Sequence, residues 1–155
     1  FFDEVMNIFN VDVFSDWSFG VRNRDGKAIG ADCQIGLNSP VTEKSTVIGP
    51  HVDNPKEIYA GLFYMRHKMD NSEGGSLNLL KPKSYDIPVK KNYPKYKDSM
   101  FEIKDTIPYQ RNTFVLLLCN KYAFHGVTKR SVTSFSRKLV NIIAEVKKGR
   151  WYDRI

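Results

Sequence analysis

Short apolar segments separated by turn signals recur along this chain from residue 31 onward, and little of the chain has helical periodicity. Several of the segments alternate apolar and polar residues, which is typical of half-buried strands. The predicted strands are 31–37, 45–53, 58–66, 76–80, 101–103, 113–119 and 135–146. Many short strands with turns between them favour an all-β core, as a sandwich or a barrel. One short helix is predicted near the N-terminus, over residues 3–10.

The length of the chain limits the number of domains. With 155 residues it can bury one substantial core, so we expect residues 1–155 to form a single domain. The chain begins at Phe1 and not at a methionine, so we expect the native N-terminus to be missing. The longest uninterrupted apolar run, residues 114–119, is far too short to span a membrane. Cys33 and Cys119 are too few for a disulfide scaffold, and a cytoplasmic location is expected.

An excess of basic residues gives the chain a formal net charge of +7. Residues 81–104 hold seven lysines against three acidic residues. Such a segment attracts anions, so we expect a small-molecule, carrier-borne or peptide-borne substrate with anionic character. A lysine-rich loop is also typical of an ordinary solvated surface, and this alternative stays open. No membrane partner is expected, and nucleic acid is disfavoured because the basic-aromatic motif of the common RNA-binding folds is absent.

Two histidines and one aspartate are the residues best suited to chemistry. His51 and Asp53 are two positions apart, so on a strand their side chains point to one face while Val52 points away. His125, from a later strand, can complete that face. Two histidines and one carboxylate leave coordination positions open, as in non-haem Fe(II) oxygenases, whereas a structural zinc site closes its shell. A buried histidine hydrogen-bonded to a nearby carboxylate is the simpler alternative, and the sequence leaves it open.

Six short motifs carry a wider resemblance. In chain order they are Gly49-Pro-His-Val-Asp-Asn-Pro55, Leu62-Phe-Tyr-Met-Arg66, Gly74-Gly-Ser-Leu77, Asn112-Thr-Phe-Val-Leu-Leu-Leu118, His125-Gly-Val127 and Ser136-Arg-Lys-Leu-Val140. In order and spacing these motifs resemble the Fe(II)/2-oxoglutarate-dependent dioxygenases, in particular their prolyl-4-hydroxylase-like branch, over residues 31–146. The resemblance implies a double-stranded β-helix, also called a jelly roll. It also implies hydroxylation, or a related C–H oxidation, coupled to decarboxylation of 2-oxoglutarate to succinate.

The same resemblance implies the ligands and the residues that bind them. Fe(II) would be held by His51, Asp53 and His125, 2-oxoglutarate would be the cosubstrate, and ascorbate is allowed as an accessory cofactor. The residues implied for 2-oxoglutarate are Arg137, as the anchor of its far carboxylate, Tyr64, whose hydroxyl reaches the same carboxylate, Leu77 in the pocket wall, and Asn141 on the strand face of Arg137. A guanidinium suits this task because its planar fork binds a carboxylate bidentately.

Two departures from the family pattern surround the anchor. Arg137 lies twelve positions after His125, farther than is usual in the family, and Leu139 stands where a serine is common. A second hydroxyl contact to the cosubstrate is therefore not expected.

Two other classes of function stay open. A non-catalytic β-barrel ligand-binding module would keep the fold, with His51 and His125 as incidental polar residues. A nucleic-acid-binding domain would use the lysine-rich segment 81–104, and its signature would be binding that weakens steeply with salt. Metal analysis and titration with 2-oxoglutarate separate the first alternative from the enzyme.

Overall fold

The computed structural model describes residues 17–19, 29–87 and 96–153. Within these ranges the elements are β1 (Trp17–Phe19), β2 (Ile29–Asn38), β3 (Glu57–Tyr64), β4 (Leu77–Pro82), a 3-10 turn (Asp98–Met100), β5 (Phe101–Ile107), β6 (Thr113–Leu118), β7 (His125–Val127), β8 (Arg137–Val146) and a second 3-10 turn (Trp151–Asp153). The predicted all-β class is confirmed for these residues. The helix predicted over 3–10 lies outside them. No helix in the described ranges is long and apolar enough to cross a lipid bilayer.

The strands form two sheets. The larger sheet has the order β1-β2-β8-β3-β6 and is antiparallel except for the β1–β2 pair. The smaller sheet has the order β5-β4-β7 and is antiparallel throughout. β8 lies at the centre of the larger sheet, between β2 and β3. Alternate side chains of β8 can therefore reach the space that both sheets line.

The segment that carries the first predicted metal ligands is not a regular strand. The sequence predicts a strand over residues 45–53, but this part of the chain makes only isolated bridges, and the prediction is wrong in that respect. The bridges of the segment are Val41↔Thr133, Ser45↔Arg130 and His51↔His125. Pro50 has no N–H to donate, which interrupts a continuous ladder. The segment nevertheless follows residues 125–133 in antiparallel direction, and this path brings His51 to β7.

β2 turns inward the face opposite to the one that its apolar pattern predicts. The alternation over 31–37 predicts burial of the odd-numbered positions, yet Ile35 is 84% exposed and Leu37 63% exposed. Gln34 and Asn38, from the other face, line the central cavity instead. Because that cavity is polar, it takes the polar face of the strand and leaves the apolar face at the surface.

Buried apolar side chains pack into three clusters. The first cluster contains Ile29, Ile58, Tyr59, Ala60, Cys119, Ile143, Ala144, Val146, Trp151 and Tyr152. The second contains Tyr64, Leu77, Tyr109, Val115 and Leu139, and the third contains Val52, Tyr96, Phe101 and Phe124. Val52 therefore points away from the side chains of His51 and Asp53, as the alternation of the sequence predicts. Its burial anchors the backbone between these two residues.

A buried ion pair ties the loop before β4 to the loop before β8. Arg130 is 3% exposed and donates from Nη2 to Oδ2 of Asp70, from Nε to Ser72 Oγ at 2.9 Å, and from Nη1 to the Phe135 carbonyl at 2.8 Å. Arg66 adds a second ion pair to the same carboxylate, with Nε 3.5 Å from Oδ2. A guanidinium and a carboxylate that are both buried stabilise only when paired, so this network fixes the two loops relative to each other.

Two consecutive glycines lead the chain into β4. Gly74 has φ +78° and Gly75 has φ +75°, in the left-handed region that favours glycine. A Cβ atom on Gly74 would lie 1.9 Å from the carbonyl oxygen of Lys129, so no other residue fits there without movement of the backbone. The turn also aims the Gly75 carbonyl at Arg137, whose Nε donates to it at 2.9 Å.

Candidate metal centre

The predicted ligands His51, Asp53 and His125 come together in space. Nε2 of His51 lies 3.7 Å from Oδ1 of Asp53, and Nε2 of His125 lies 3.5 Å from the same oxygen. The two imidazole rings have centroids 4.3 Å apart. One ligand atom from each of the three residues lies within 4.8 Å of the other two. Three donor atoms at this spacing can share one ion.

The backbone pairs the two histidines directly. His51 N–H donates to the His125 carbonyl at 2.9 Å, and His125 N–H donates to the His51 carbonyl at 2.9 Å. This reciprocal pair places both side chains on the same side of the bridge. The relative position of the two imidazoles is therefore set by main-chain bonds and does not depend on a metal.

Each histidine is also fixed at its Nδ1 atom. Nδ1 of His51 lies 2.9 Å from the Gly49 carbonyl, and Nδ1 of His125 lies 2.9 Å from the Ala123 carbonyl. A carbonyl only accepts, so we assign the proton to Nδ1 in both rings, which leaves the Nε2 lone pairs free. A backbone acceptor on the second nitrogen is the usual arrangement for a histidine that ligates a metal.

The distances distinguish this triad from the simpler alternative of a buried histidine hydrogen-bonded to a carboxylate. An N–H···O bond spans about 2.7–3.2 Å. Both Nε2 atoms lie farther than that from Oδ1 of Asp53. The three side chains surround a point without bonding tightly to one another, which is the arrangement expected of ligands to a single ion.

The three groups shift one another's pKa values. Burial lowers the pKa of His51, and the nearby charge of His125 lowers it further. Burial also acts to lower the pKa of His125, but its interaction with Asp53 outweighs this and leaves that pKa raised. Burial acts to raise the pKa of Asp53, but the two imidazoles, His125 foremost, hold it below its usual value. Asp53 is therefore ionised at neutral pH, as a metal ligand must be.

The triad opens into a cavity of about 690 Å³. Of the residues that the sequence implies for 2-oxoglutarate, Arg137, Leu77 and Asn141 line the same cavity as the triad. Tyr64 is not part of the lining but packs beneath the anchor, with Cζ of Arg137 5.1 Å from the centre of its ring. The structure thus brings all seven predicted site residues into one region.

Arg137 is a buried cation without a carboxylate partner in the described ranges. It is 4% exposed, and its polar contacts are from Nε to the Gly75 carbonyl at 2.9 Å and from Nη1 to Asn38 Oδ1 at 3.3 Å. Burial lowers the pKa of Arg137, because the charged form is the one that loses solvation. Arg130, by contrast, is satisfied by Asp70. A buried guanidinium that meets no carboxylate is an anion site in waiting.

Two further polar atoms beside Arg137 are buried and lack a partner among the described residues: the hydroxyl of Tyr64 and Oδ1 of Asn141. Burial raises the pKa of Tyr64, with the charge of Arg137 acting against it, so the phenol is protonated at neutral pH. Unsatisfied buried polar atoms are uncommon in proteins and often mark a ligand position.

No protein-family model matches the chain, and neither a curated protein nor a solved structure matches it. The function is therefore argued from the geometry of the site.

Three residues that sequence analysis did not select also contact the ligand Asp53 or lie beside it. Sγ of Cys119 lies 3.6 Å from Oδ2 of Asp53, and the Tyr152 hydroxyl donates to the Asp53 carbonyl at 3.0 Å. Glu57 lies with Asp53 and Cys119 in a second group of donor atoms within 4.8 Å of one another. Burial, together with the charges of both carboxylates, raises the pKa of the Cys119 thiol well above its usual value, so the thiol is protonated. No sequence motif marks these residues, because each reaches the site from a different element.

The third histidine of the chain is not part of the site. The His67 ring stacks on Phe135 with centroids 4.9 Å apart, and its Nδ1 accepts from the Met69 N–H at 3.2 Å.

Proposed function

We propose that this protein is an Fe(II)- and 2-oxoglutarate-dependent dioxygenase that hydroxylates, or otherwise oxidises, a C–H bond of its substrate. One observation carries the proposal: the histidine–carboxylate triad and the buried guanidinium of Arg137 face the same cavity. A metal-binding module would need only the triad, and an anion-binding module would need only the guanidinium. Their combination fits a metal and an anionic cosubstrate that bind side by side.

The fold that we propose is a double-stranded β-helix. Its support is the path of the chain between the two sheets. β2 and β3 lie in the larger sheet, the segment 41–51 between them bridges the neighbourhood of β7, β4 and β5 lie in the smaller sheet, and β6, β7 and β8 then alternate. This is the path of a jelly roll. It places the histidines beside the smaller sheet and Arg137 on the larger one, across a shared cavity.

The donor set fits Fe(II). Two imidazoles and one carboxylate on one side of an ion leave the remaining positions open toward the cavity. Bound iron and 2-oxoglutarate would together activate O2 and supply the oxidising equivalents for the substrate. The share of the chain is to hold His51, Asp53 and His125 with their ligand atoms facing one point. The Gly49 and Ala123 carbonyls keep both imidazoles in the tautomer that can ligate.

The surroundings of Arg137 fit the far carboxylate of 2-oxoglutarate. A guanidinium can bind that carboxylate through parallel hydrogen bonds, and the protonated hydroxyl of Tyr64 can donate a further one. Leu77 supplies an apolar wall for the methylene groups between the two ends of the cosubstrate. The amide of Asn141 is a further polar group in the same cavity. Binding would thus relieve the cost of keeping these groups buried and unsatisfied.

The substrate remains a prediction from charge. The lysine-rich segment 81–104 favours an anionic molecule, free or carried on a protein or peptide. Residues 88–95 of that segment lie outside the described part of the chain.

The experiment that tests the proposed function is aerobic incubation with Fe(II) and labelled 2-oxoglutarate against a metabolite library, with succinate release as the readout. We expect slow succinate release without substrate and faster release with the correct one. Omission of Fe(II), or removal of O2, is the matched control and should stop release. Absence of both metal binding and 2-oxoglutarate binding would refute the proposal.

Replacement of Arg137 by alanine should weaken 2-oxoglutarate binding while leaving metal binding intact. Removal of one partner of a buried charge pair costs about 2–5 kcal/mol, so the Kd for 2-oxoglutarate should rise roughly 30-fold or more. Calorimetric titration of Mn(II)-loaded protein with 2-oxoglutarate measures this change without turnover. Lys138→Ala is the control, because Lys138 is exposed on the opposite face of β8. Equal Kd values for both variants would show that Arg137 is not the anchor.

A further inference from the structure

We infer that Cys119 is a positioning residue for the metal centre: its thiol donates a hydrogen bond to Oδ2 of Asp53 and so keeps Oδ1 turned toward the two imidazoles. This inference rests on the proposed metal site. The Sγ–Oδ2 distance is 3.6 Å, within the range of a hydrogen bond to sulfur, while both Nε2 atoms lie on the side of Oδ1. The two oxygens of the carboxylate thus face different partners.

The surroundings of Cys119 hold the thiol in place. Its N–H donates to the Ile58 carbonyl at 2.9 Å, and its own carbonyl accepts from Trp151 Nε1 at 3.0 Å. The residue is 1% exposed and belongs to the first apolar cluster. The other acceptor near Sγ is the Leu117 carbonyl, which is farther away, at 4.0 Å, and carries no charge. The carboxylate of Asp53 is therefore the favoured partner of the thiol.

A second contact separates the role of the thiol from that of the backbone. The Tyr152 hydroxyl donates to the Asp53 carbonyl at 3.0 Å, and the Trp151 N–H donates to the Pro55 carbonyl at 2.7 Å. These bonds hold the main chain around Asp53. They do not determine how the carboxylate rotates, and Cys119 is the residue that does so. Partners of ligating groups are typically worth roughly 10- to 100-fold in metal affinity or activity.

The same group of atoms has a different potential use. Because Asp53, Glu57 and Cys119 lie within 4.8 Å of one another, they could ligate a second ion, with the thiol as a ligand and not as a donor. The two roles differ in an observable way. A hydrogen-bonding thiol leaves one metal ion per chain and can be replaced by a hydroxyl, whereas a ligating thiolate gives two ions per chain and a sulfur-to-metal charge-transfer band.

The test uses Co(II) as the probe with the full chain and the variants Cys119→Ala, Cys119→Ser and Cys33→Ala. Calorimetry gives the affinity and stoichiometry, the visible d–d spectrum reports the coordination of Co(II), and melting of the metal-free protein reports folding. We expect Cys119→Ala to bind Co(II) roughly tenfold more weakly with an altered d–d spectrum. Cys119→Ser keeps a donor and should restore most of the affinity. Cys33 is the exposed cysteine, and its replacement should change nothing.

Three results would overturn the inference. Wild-type affinity and spectrum in Cys119→Ala would show that the thiol does not act on Asp53. Equal losses in the alanine and serine variants, with parallel losses in melting temperature, would show that Cys119 acts only through packing. Two Co(II) ions per wild-type chain would make it a ligand. Each of these leaves the proposed function standing, whereas a wild-type chain that binds no Co(II) would remove both.

Discussion

Replacement of Asp53 by alanine should abolish coupled turnover and reduce metal affinity more than any other single substitution in the site. The carboxylate is the one anionic ligand of the triad, and both imidazoles are neutral when they bind a metal. Its loss removes a direct ligand, so the effect should exceed the roughly 10- to 100-fold typical of residues that only support a ligand. Calorimetry with Mn(II) and succinate release with Fe(II) measure the two consequences separately.

The matched control for this prediction is Glu43→Ala, which removes an exposed carboxylate outside the metal centre. It should leave both readouts at wild-type values, and melting of the metal-free variants should confirm that each is folded. Retention of full activity by Asp53→Ala would show that the ligand assignment is wrong.

Replacement of Asp70 by asparagine should cause the largest loss of stability. The side chain of Asp70 is buried and accepts from Ser72 N–H at 3.0 Å, from Ser72 Oγ at 2.6 Å and from Nη2 of Arg130. Removal of its charge leaves the buried guanidinium of Arg130 without a counterion, which costs about 3–5 kcal/mol. Urea unfolding at neutral pH measures this loss as a lower free energy of unfolding.

The pH dependence of stability provides an independent check on the same carboxylate. Burial acts to raise the pKa of Asp70, but the hydrogen bonds from Ser72 and then the charges of Arg130 and Arg66 outweigh it and lower the pKa. A folded-state pKa below the unfolded value means that the contribution is present above the unfolded pKa, about 4, and is lost as the pH falls through the folded pKa. The wild-type protein should therefore lose stability below about pH 4, and Asp70→Asn should lose less there.

A double variant controls for the cause of this effect. Asp70→Asn together with Arg130→Met removes both charges and should be less destabilised than Asp70→Asn alone, because no unpaired guanidinium remains. If the double variant is as unstable as the sum of the two single variants, the ion pair is not the source of the loss.

The sequence predicts those parts of the fold in which pattern and environment agree. β3, β6 and β8 begin and end within two residues of the predicted bounds, because they are apolar segments with clear turn signals on either side. The triad could be predicted from residue type and spacing. It needs only the i, i+2 relation between His51 and Asp53 and one later histidine, and the main chain supplies both even without a regular strand.

Other features depend on partners that are distant along the chain, and no local pattern reveals them. The inward face of β2 follows from the polar cavity beside Gln34, so its apolar alternation gives the wrong phase. The burial of Arg130 follows from Asp70, sixty positions earlier. Cys119 closes an apolar run that predicts only burial, and its contact with Asp53 arises from packing between elements.

The bond between Tyr152 and Asp53 has a consequence for biosynthesis. These residues are 99 positions apart, as are Asn38 and Arg137, which meet at the other end of the cavity. A nascent chain on the ribosome holds His51, Asp53 and His125 before residues 137–152 have emerged from the exit tunnel. Contacts of such long sequence separation form late and slowly. We therefore expect iron to be captured in its final geometry only after translation of residue 152, and ribosome-bound chains arrested earlier to exchange metal freely.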